Sequence, residues 1–391
     1  MNNNMKKPTF LLLTQAVFIM LAILPNVTSA ASKTTDCIVY IGTYTSGESE
    51  GIYAFHLDSD KGTLTRIAGV TKSEEPSFVA VHPSGKYLYA VNETSEFMGK
   101  PGGGITAYAI DRLTGTLTKL NSQLSHGDHP CHLMIDRSGR CVALANYTGG
   151  SIAAYKIGKD GSLSEATCII QHSGSSIDPR QQSAHAHSID VDLNNRFVAV
   201  SDLGMDQVLT YRLNARKGLL NPADPPFVKA VPGAGPRHFA FHPQGAFAFG
   251  INELDLTTTA YAYDGRVGKL QSLQVISTLP PGETKQAGQS TAEMYVHPSG
   301  KFLYGSNRGH HTIVVYQIDQ QTGKLTYVEN EGTHGETPRS FGIDPTGRFL
   351  LALNQSTNTI ALFRINQDTG ALEYTGTTVP CPAPVATAFL R

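Results

Sequence analysis

The 391-residue chain contains no tryptophan, and Asp, Glu, Lys and Arg together supply only 16% of it. Lys and Arg number 31 against 32 for Asp and Glu, so neither sign dominates. Proteins that grip a phosphate backbone do so with clustered Lys and Arg, and this balance argues against nucleic acid as the main partner. The five cysteines, Cys37, Cys131, Cys141, Cys168 and Cys381, are odd in number and widely spaced, with no CxxC pair. That pattern disfavours a zinc site, and most of these thiols read as small buried apolar residues. No GxSxG elbow is present, which argues against the α/β-hydrolase route to ester hydrolysis. Beyond residue 30 no apolar run is long enough to span a membrane.

What is present begins with an address. Lys6 and Lys7 precede a nearly unbroken apolar stretch from Phe10 to Leu24, then Pro25 and the small residues Ser29, Ala30, Ala31 and Ser32. This is the pattern of a secretory signal over residues 1–30, too short for a full membrane span. The protein is expected to be exported, periplasmic or secreted, with no membrane insertion once the signal is removed. Without Lys6 and Lys7 the basic count falls from 31 to 29 against 32 acidic residues, so the mature protein is slightly acidic. Glycine is abundant at 38 residues, and apolar residues make up 40% of the chain, enough to fill a core. Many glycines and few charges favour short strands and tight turns over long surface helices.

A self-comparison gives the architecture. The segment PSFVAVHPSGKYLYAVNE (residues 76–93) recurs as PCHLMIDRSGRCVALANY, AHSIDVDLNNRFVAVSDL, PRHFAFHPQGAFAFGINE, TAEMYVHPSGKFLYGSNR and PRSFGIDPTGRFLLALNQ. Each copy is two apolar runs joined by a short turn, a hairpin signature. The turn residues Gly85, Gly139, Asn195, Gly245, Gly300 and Gly347 lie 54, 56, 50, 55 and 47 residues apart. Gly and Asn suit turns that need positive φ. A third run such as GITAYAID or TIVVYQID follows each hairpin, and then a fourth that opens Gly-x-Leu. Four strands per roughly fifty residues is the signature of a β-propeller blade. The N-terminal copy lacks its first strand, and PVATAFLR (residues 384–391) supplies it. The expected fold is therefore an all-β, seven-bladed propeller over residues 31–391, closed by the C-terminal strand and almost free of helix. That closure hides the sheet edges a free end would expose.

In such a ring the start of each innermost strand and the end of each second strand meet at one mouth of the central channel. At the end of the second strand an Asn recurs (Asn92, Asn146, Asn252, Asn307, Asn354), which reads as loop support. The residue after it varies: Tyr44, Glu93, Tyr147, Leu203, Glu253, Arg308 and Gln355. The two positions opening the innermost strand contribute Cys131, His132, His187, His238, Arg237, Glu293 and Arg339. One mouth thus gathers His132, His187, His238, Glu93, Glu253, Glu293, Arg237, Arg308 and Arg339. A ring of ion pairs filling a wet channel is the bland alternative. The functional reading is a site for an anionic or carbonyl-rich small molecule, since Arg binds carboxylate or phosphate bidentately and His or Glu moves protons near neutral pH. His82, His242 and His297 fall at the opposite face and read as turn caps; His185, His310 and His311 lie at the mouth side. His185 and His187 resemble a metal pair, but no third ligand is evident by spacing, and neither metal nor cofactor is expected.

Taken together, AHAHSIDVD with NNRFVAVSDLGMDQV, GPRHFAFHPQG with INEL, STAEMYVHPSGKFLYGSNRGH and PRSFGIDPTGRFLLALNQ resemble the seven-bladed lactonase family, which includes the propeller-type 6-phosphogluconolactonases. The resemblance covers residues 36–391. It implies a lactone hydrolase acting on a small-molecule lactone, sugar-derived or anionic. A related branch, the fungal carboxymuconate lactonizing enzyme, uses a His, Arg, Glu, Arg set, matched here by His187, Arg237, Glu253 and Arg308 as catalytic residues. His132, His238, Glu293, Arg339 and Glu93 are then expected to bind substrate. An export signal departs from the cytoplasmic namesake and points to an unphosphorylated sugar or other lactone. The resemblance leaves open whether Glu253 or His187 is the base, and whether the reaction is hydrolysis or the reverse cyclisation of an unsaturated dicarboxylate. A non-catalytic exported propeller that binds glycan or protein is the alternative from another class.

Overall fold

The computed structural model describes residues 1–5, 7 and 36–390, so the expected signal lies almost wholly outside the described residues, as does Arg391. From Cys37 to Leu390 the chain forms seven antiparallel sheets of four principal strands, with one small hairpin pairing Glu96–Phe97 with Lys100–Pro101. There is no helix among the described residues, and none long and apolar enough to cross a membrane. Blades are numbered here from the N-terminus. Their innermost strands are Pro384–Leu390 (blade one), Val79–Val81, Pro130–Ile135, Ala186–Val191, Pro236–Phe241, Ser290–Val296 and Pro338–Ile343 (blade seven), and each touches the next around the channel.

Blade one is the composite one. Pro384–Leu390 pairs antiparallel with Cys37–Thr43, aligning Ile38 with Leu390 and Tyr40 with Ala388. The period-2 alternation of VATAFL thereby aims Ala386, Ala388 and Leu390 into the apolar layer shared with blade two. The core is accordingly not one mass but seven layers, one between each pair of successive blades. The layer between blades seven and one holds Phe349, Leu351 and Leu353 against Val39, Ile41 and Phe55, all fully buried. Each such side chain contributes roughly 1.5–3 kcal/mol on leaving water.

The turn histidines do more than cap. Nε2 of His82, His242 and His297 donates to the carbonyl of Gly139, Gly300 and Gly347 in the next blade, at 2.9, 2.8 and 2.7 Å. The glycine at that position is therefore fixed twice over. Gly347 has φ +75°, and a Cβ there would lie 2.7 Å from His297 Nε2. Blade four carries Asn195 instead, at φ 56°, and its Nδ2 donates to Asp136 Oδ2 of blade three at 2.9 Å. Asp136, Asp192 and Asp344 stand where blades two, five and six have His, and each accepts the backbone N–H groups that follow its own turn.

A local irregularity positions the functional side chains. In blades three, four, five and seven the pairing of innermost and second strands slips after the first residue, from Pro130 to His132, Ala186 to Ser188, Pro236 to His238 and Pro338 to Ser340. The residue left out of the ladder is Cys131, His187, Arg237 or Arg339. A bulge of this kind bends the strand and re-aims one side chain, and here all four are turned to the same mouth, where they line one cavity.

Gly347→Ala is expected to cost on the order of 1–3 kcal/mol through strain and overpacking. Adding His297→Ala removes the steric part, so the double variant should be more stable than the sum of the singles requires, as read from urea midpoints.

Candidate active site

The mouth is organised around one carboxylate. Glu253 follows the second strand of blade five, and its N–H is held by the carbonyl of Gly235 at 2.7 Å. Its Oε2 accepts from Arg237 Nε at 2.8 Å. Its Oε1 accepts from Arg180 Nη1 at 2.6 Å and lies 3.1 Å from Arg308 Nη2. His187 Nε2 stands 4.0 Å from Oε2. Burial alone would raise the Glu253 carboxyl, but Arg308, Arg237 and Arg180 together hold it far below the usual carboxylate range. Two of these arginines are also tied to the main chain: Arg237 Nη1 donates to Ala292 O at 2.7 Å and Arg308 Nη2 to Thr291 O at 2.7 Å. Burial pushes Arg308 down to about 10, against the pull of Glu253, and leaves it charged at neutral pH.

Around this group stand three buried imidazoles. Burial, then Arg237, His238 and Arg339, lowers His187 well below the ordinary histidine value. Cys131 Sγ lies 3.7 Å from its Nδ1 and donates to its carbonyl at 3.3 Å. The His238 ring packs edge-on to His187 at 5.4 Å and to His132 at 5.1 Å. His238 Nδ1 meets Glu293 Oε1 at 2.5 Å, and Ser340 Oγ donates to Glu293 Oε2 at 3.0 Å. His132 leans on Phe78 at 4.0 Å and accepts the Ile189 N–H at Nδ1, which leaves Nε2 as its N–H donor. Arg339 is held differently from the rest. Its guanidinium lies over the Tyr44 ring at 5.2 Å and makes no hydrogen bond or ion pair with a described residue. Tyr44 Oη in turn donates to Glu93 Oε2 at 3.0 Å.

All nine residues expected at the mouth are brought together there. Glu93, His187, Arg237, His238, Glu293 and Arg339 line a narrow pocket with Tyr44, Phe78 and Cys131, and Glu253, Arg308 and His132 abut it through the contacts above. The sequence singled out no role for Arg180, Tyr147 or Tyr44. Tyr44 and Tyr147 stand in the variable column after the second strand, so that signal was present. Arg180 has no counterpart in the repeat; it sits on residues 172–185, an unusually long connection between blades three and four. Of the other histidines, His185 Nδ1 donates to Tyr147 O at 2.9 Å and stacks on that ring. His310 is engaged with Thr312 and Glu283, and His311 Nδ1 accepts the Thr337 N–H. Among the described residues no three His, Cys, Asp or Glu side chains are grouped to hold a metal ion. A wider opening lies at the other end of the channel, but Phe78, Val81, Ile343 and Phe389 make its wall largely apolar, and it offers no acid–base pair.

Replacing Glu253 with Ala strands two buried arginines, and a loss on the order of 3–5 kcal/mol is expected in chemical denaturation. Because the folded-state carboxyl titrates below an unfolded glutamate, its contribution is complete above pH 4.5 and fades as pH falls below it. The stability gap between wild type and Glu253→Gln should therefore narrow in acid.

Comparison with known proteins gives the family. Residues 38–389 match the family model described as lactonase, seven-bladed β-propeller. A 6-phosphogluconolactonase of Bacillus subtilis is 37% identical over 307 residues, covering 78% of this chain and 85% of its own. A crystal structure of a putative 6-phosphogluconolactonase from Bacteroides fragilis superposes with a TM-score of 0.85 at 32% identity, covering 92% of this chain and 99% of the other. The periplasmic gluconolactonase of Pseudomonas aeruginosa gives a TM-score of 0.85 at 31% identity, covering 91% and 99%. The chain thus belongs to the seven-bladed β-propeller lactonase family of lactone-hydrolysing enzymes.

Proposed function

We propose that this protein opens a sugar lactone to its aldonate outside the cytoplasm, with His187 as general base and Arg339 as the cation that receives the carbonyl oxygen. The observation that carries the reading is a buried imidazole 4.0 Å from a carboxylate that three guanidinium groups surround, beside an arginine whose own donors are uncommitted among the described residues. Glu253 is a poor base because its guanidinium neighbours stabilise the charged form. It is well suited to stabilise a transient imidazolium on His187 instead. Arg237 and Arg308 are bound to Glu253 and to backbone carbonyls, so their part is to fix that carboxylate.

The chemistry then needs no covalent enzyme intermediate. His187 Nε2 takes a proton from water as its oxygen adds to the lactone carbonyl carbon. The carbonyl electron pair moves onto oxygen, opposite Arg339. Collapse breaks the ring C–O bond, and the imidazolium returns its proton to the leaving alkoxide. The product is the ring-opened hydroxy acid. His132, His238, Glu293 and Glu93 form the polar wall available to sugar hydroxyls. Export rests on the Lys6–Lys7 and Phe10–Leu24 pattern and on the periplasmic relative from Pseudomonas aeruginosa.

Purified mature protein is expected to hydrolyse gluconolactone, its 6-phosphate or both, with the uncatalysed rate subtracted. His187→Ala and Arg339→Ala should each lower kcat/KM by about 10²–10⁴. Variants that match wild type on every lactone tested would exclude the mechanism. Binding of lactones or glycans with no rate above background would establish the non-catalytic platform. Since the base must be neutral and its pKa is lowered, kcat/KM should stay level from about pH 8 down through about pH 6.5, the unperturbed histidine value, and fall only below it.

A further inference from the structure

We propose that Arg180 is a specificity-determining residue that exchanges its partner, leaving Glu253 in the empty enzyme to grip a second anionic group, a phosphate or carboxylate, on the lactone. The inference rests on the lactonase reading of this mouth. Three guanidinium groups converge on the single carboxylate of Glu253, and they are not held alike. The Arg237 and Arg308 side chains are 3% and 15% exposed, whereas that of Arg180 is 48% exposed. The first two also donate to main-chain carbonyls, which cannot move without the blades. The second contact of Arg180 is only a side chain, the Tyr147 hydroxyl at 2.8 Å. Departure of Arg180 leaves Glu253 still paired twice, so no buried charge is orphaned, and the half-exposed guanidinium lies where an incoming ligand meets it first.

The connection that carries Arg180 is firm enough for a side chain alone to swing. Gln181, its neighbour, is fully buried and donates to Asp206 Oδ1 at 2.8 Å and to Leu203 O at 2.7 Å. Asp206 also accepts from Ser176 Oγ at 2.5 Å and from the Gly235 N–H at 2.7 Å, two residues before Arg237. The frame is thus shared with the strand that carries Arg237, while the Arg180 tip is half exposed. Charge points the same way. Among the groups that line the pocket or pair with Glu253, four arginines (Arg180, Arg237, Arg308 and Arg339) face three carboxylates (Glu93, Glu253 and Glu293). A guanidinium pairs bidentately with phosphate or carboxylate, and a neutral sugar lactone offers it neither.

The test compares three ring-opened products by titration calorimetry on the whole mature protein: gluconate, glucarate with a carboxylate at C6, and 6-phosphogluconate. Wild type should favour the two products with an anionic tail over gluconate, and the arms tell carboxylate from phosphate. Arg180→Gln should reduce that preference at least tenfold, with Arg180→Lys in between, and the kcat/KM ratio of the matching lactones should follow through KM. Equal affinity of wild type for all three, or a ratio unchanged within twofold in Arg180→Gln, overturns the proposal. Preferential binding by wild type that is lost in Arg180→Gln, without turnover of any lactone, would sustain this assignment while removing the lactonase reading.

Discussion

The antiparallel pairing of Pro384–Leu390 with Cys37–Thr43 is the constraint on which everything else in the molecule depends. No blade buries both faces alone; each apolar layer lies between two blades, and the layer between blades seven and one exists only once the ends of the chain have met. Closing so long a loop is entropically unfavourable, but the cost grows slowly with length. It is offset by a full sheet interface and by the loss of two free edges. The ring then sets the distances among innermost strands, and residues more than a hundred positions apart, such as His187 and Arg308, come to share Glu253.

Within that frame the mouth is a problem of buried charge. Glu253, Arg237 and Arg308 are all drawn out of water, where isolated ions are strongly penalised. The molecule solves this by surrounding each with opposite charge and main-chain carbonyls. The arrangement fixes a carboxylate that stays ionised and an imidazole that stays neutral. It is also what separates Arg339 and Arg180 from the other arginines: one packs on an aromatic face without a hydrogen bond, the other sits half in solvent.

Much of this was legible in the sequence because a propeller writes its period openly. The hairpin repeats gave blade count, strand order and ring closure, and the variable positions beside invariant turns located the mouth and its nine charged or imidazole residues. Other features were hidden for physical reasons. The bulges after Pro130, Ala186, Pro236 and Pro338 leave no mark in an alternating apolar pattern, yet they aim Cys131, His187, Arg237 and Arg339. Arg180 lies on a connection that has no sibling to align with. Which arginine is free and which is bound depends on pairings across blades, and spacing along one chain does not encode them. The turn histidines looked like local caps, and only the packed ring shows them reaching the glycine of the following blade.

The claim at the centre is that a lactone meets water at the mouth built on Glu253. It is tested most directly by a crystal structure of His187→Ala soaked with gluconolactone or its 6-phosphate. The account predicts the ligand in the cavity lined by Glu93, His238 and Arg339, its carbonyl oxygen within hydrogen-bond distance of the Arg339 guanidinium. Ligand found instead in the apolar void at the far end of the channel, or bound at the mouth with its carbonyl turned away from Arg339, would contradict it.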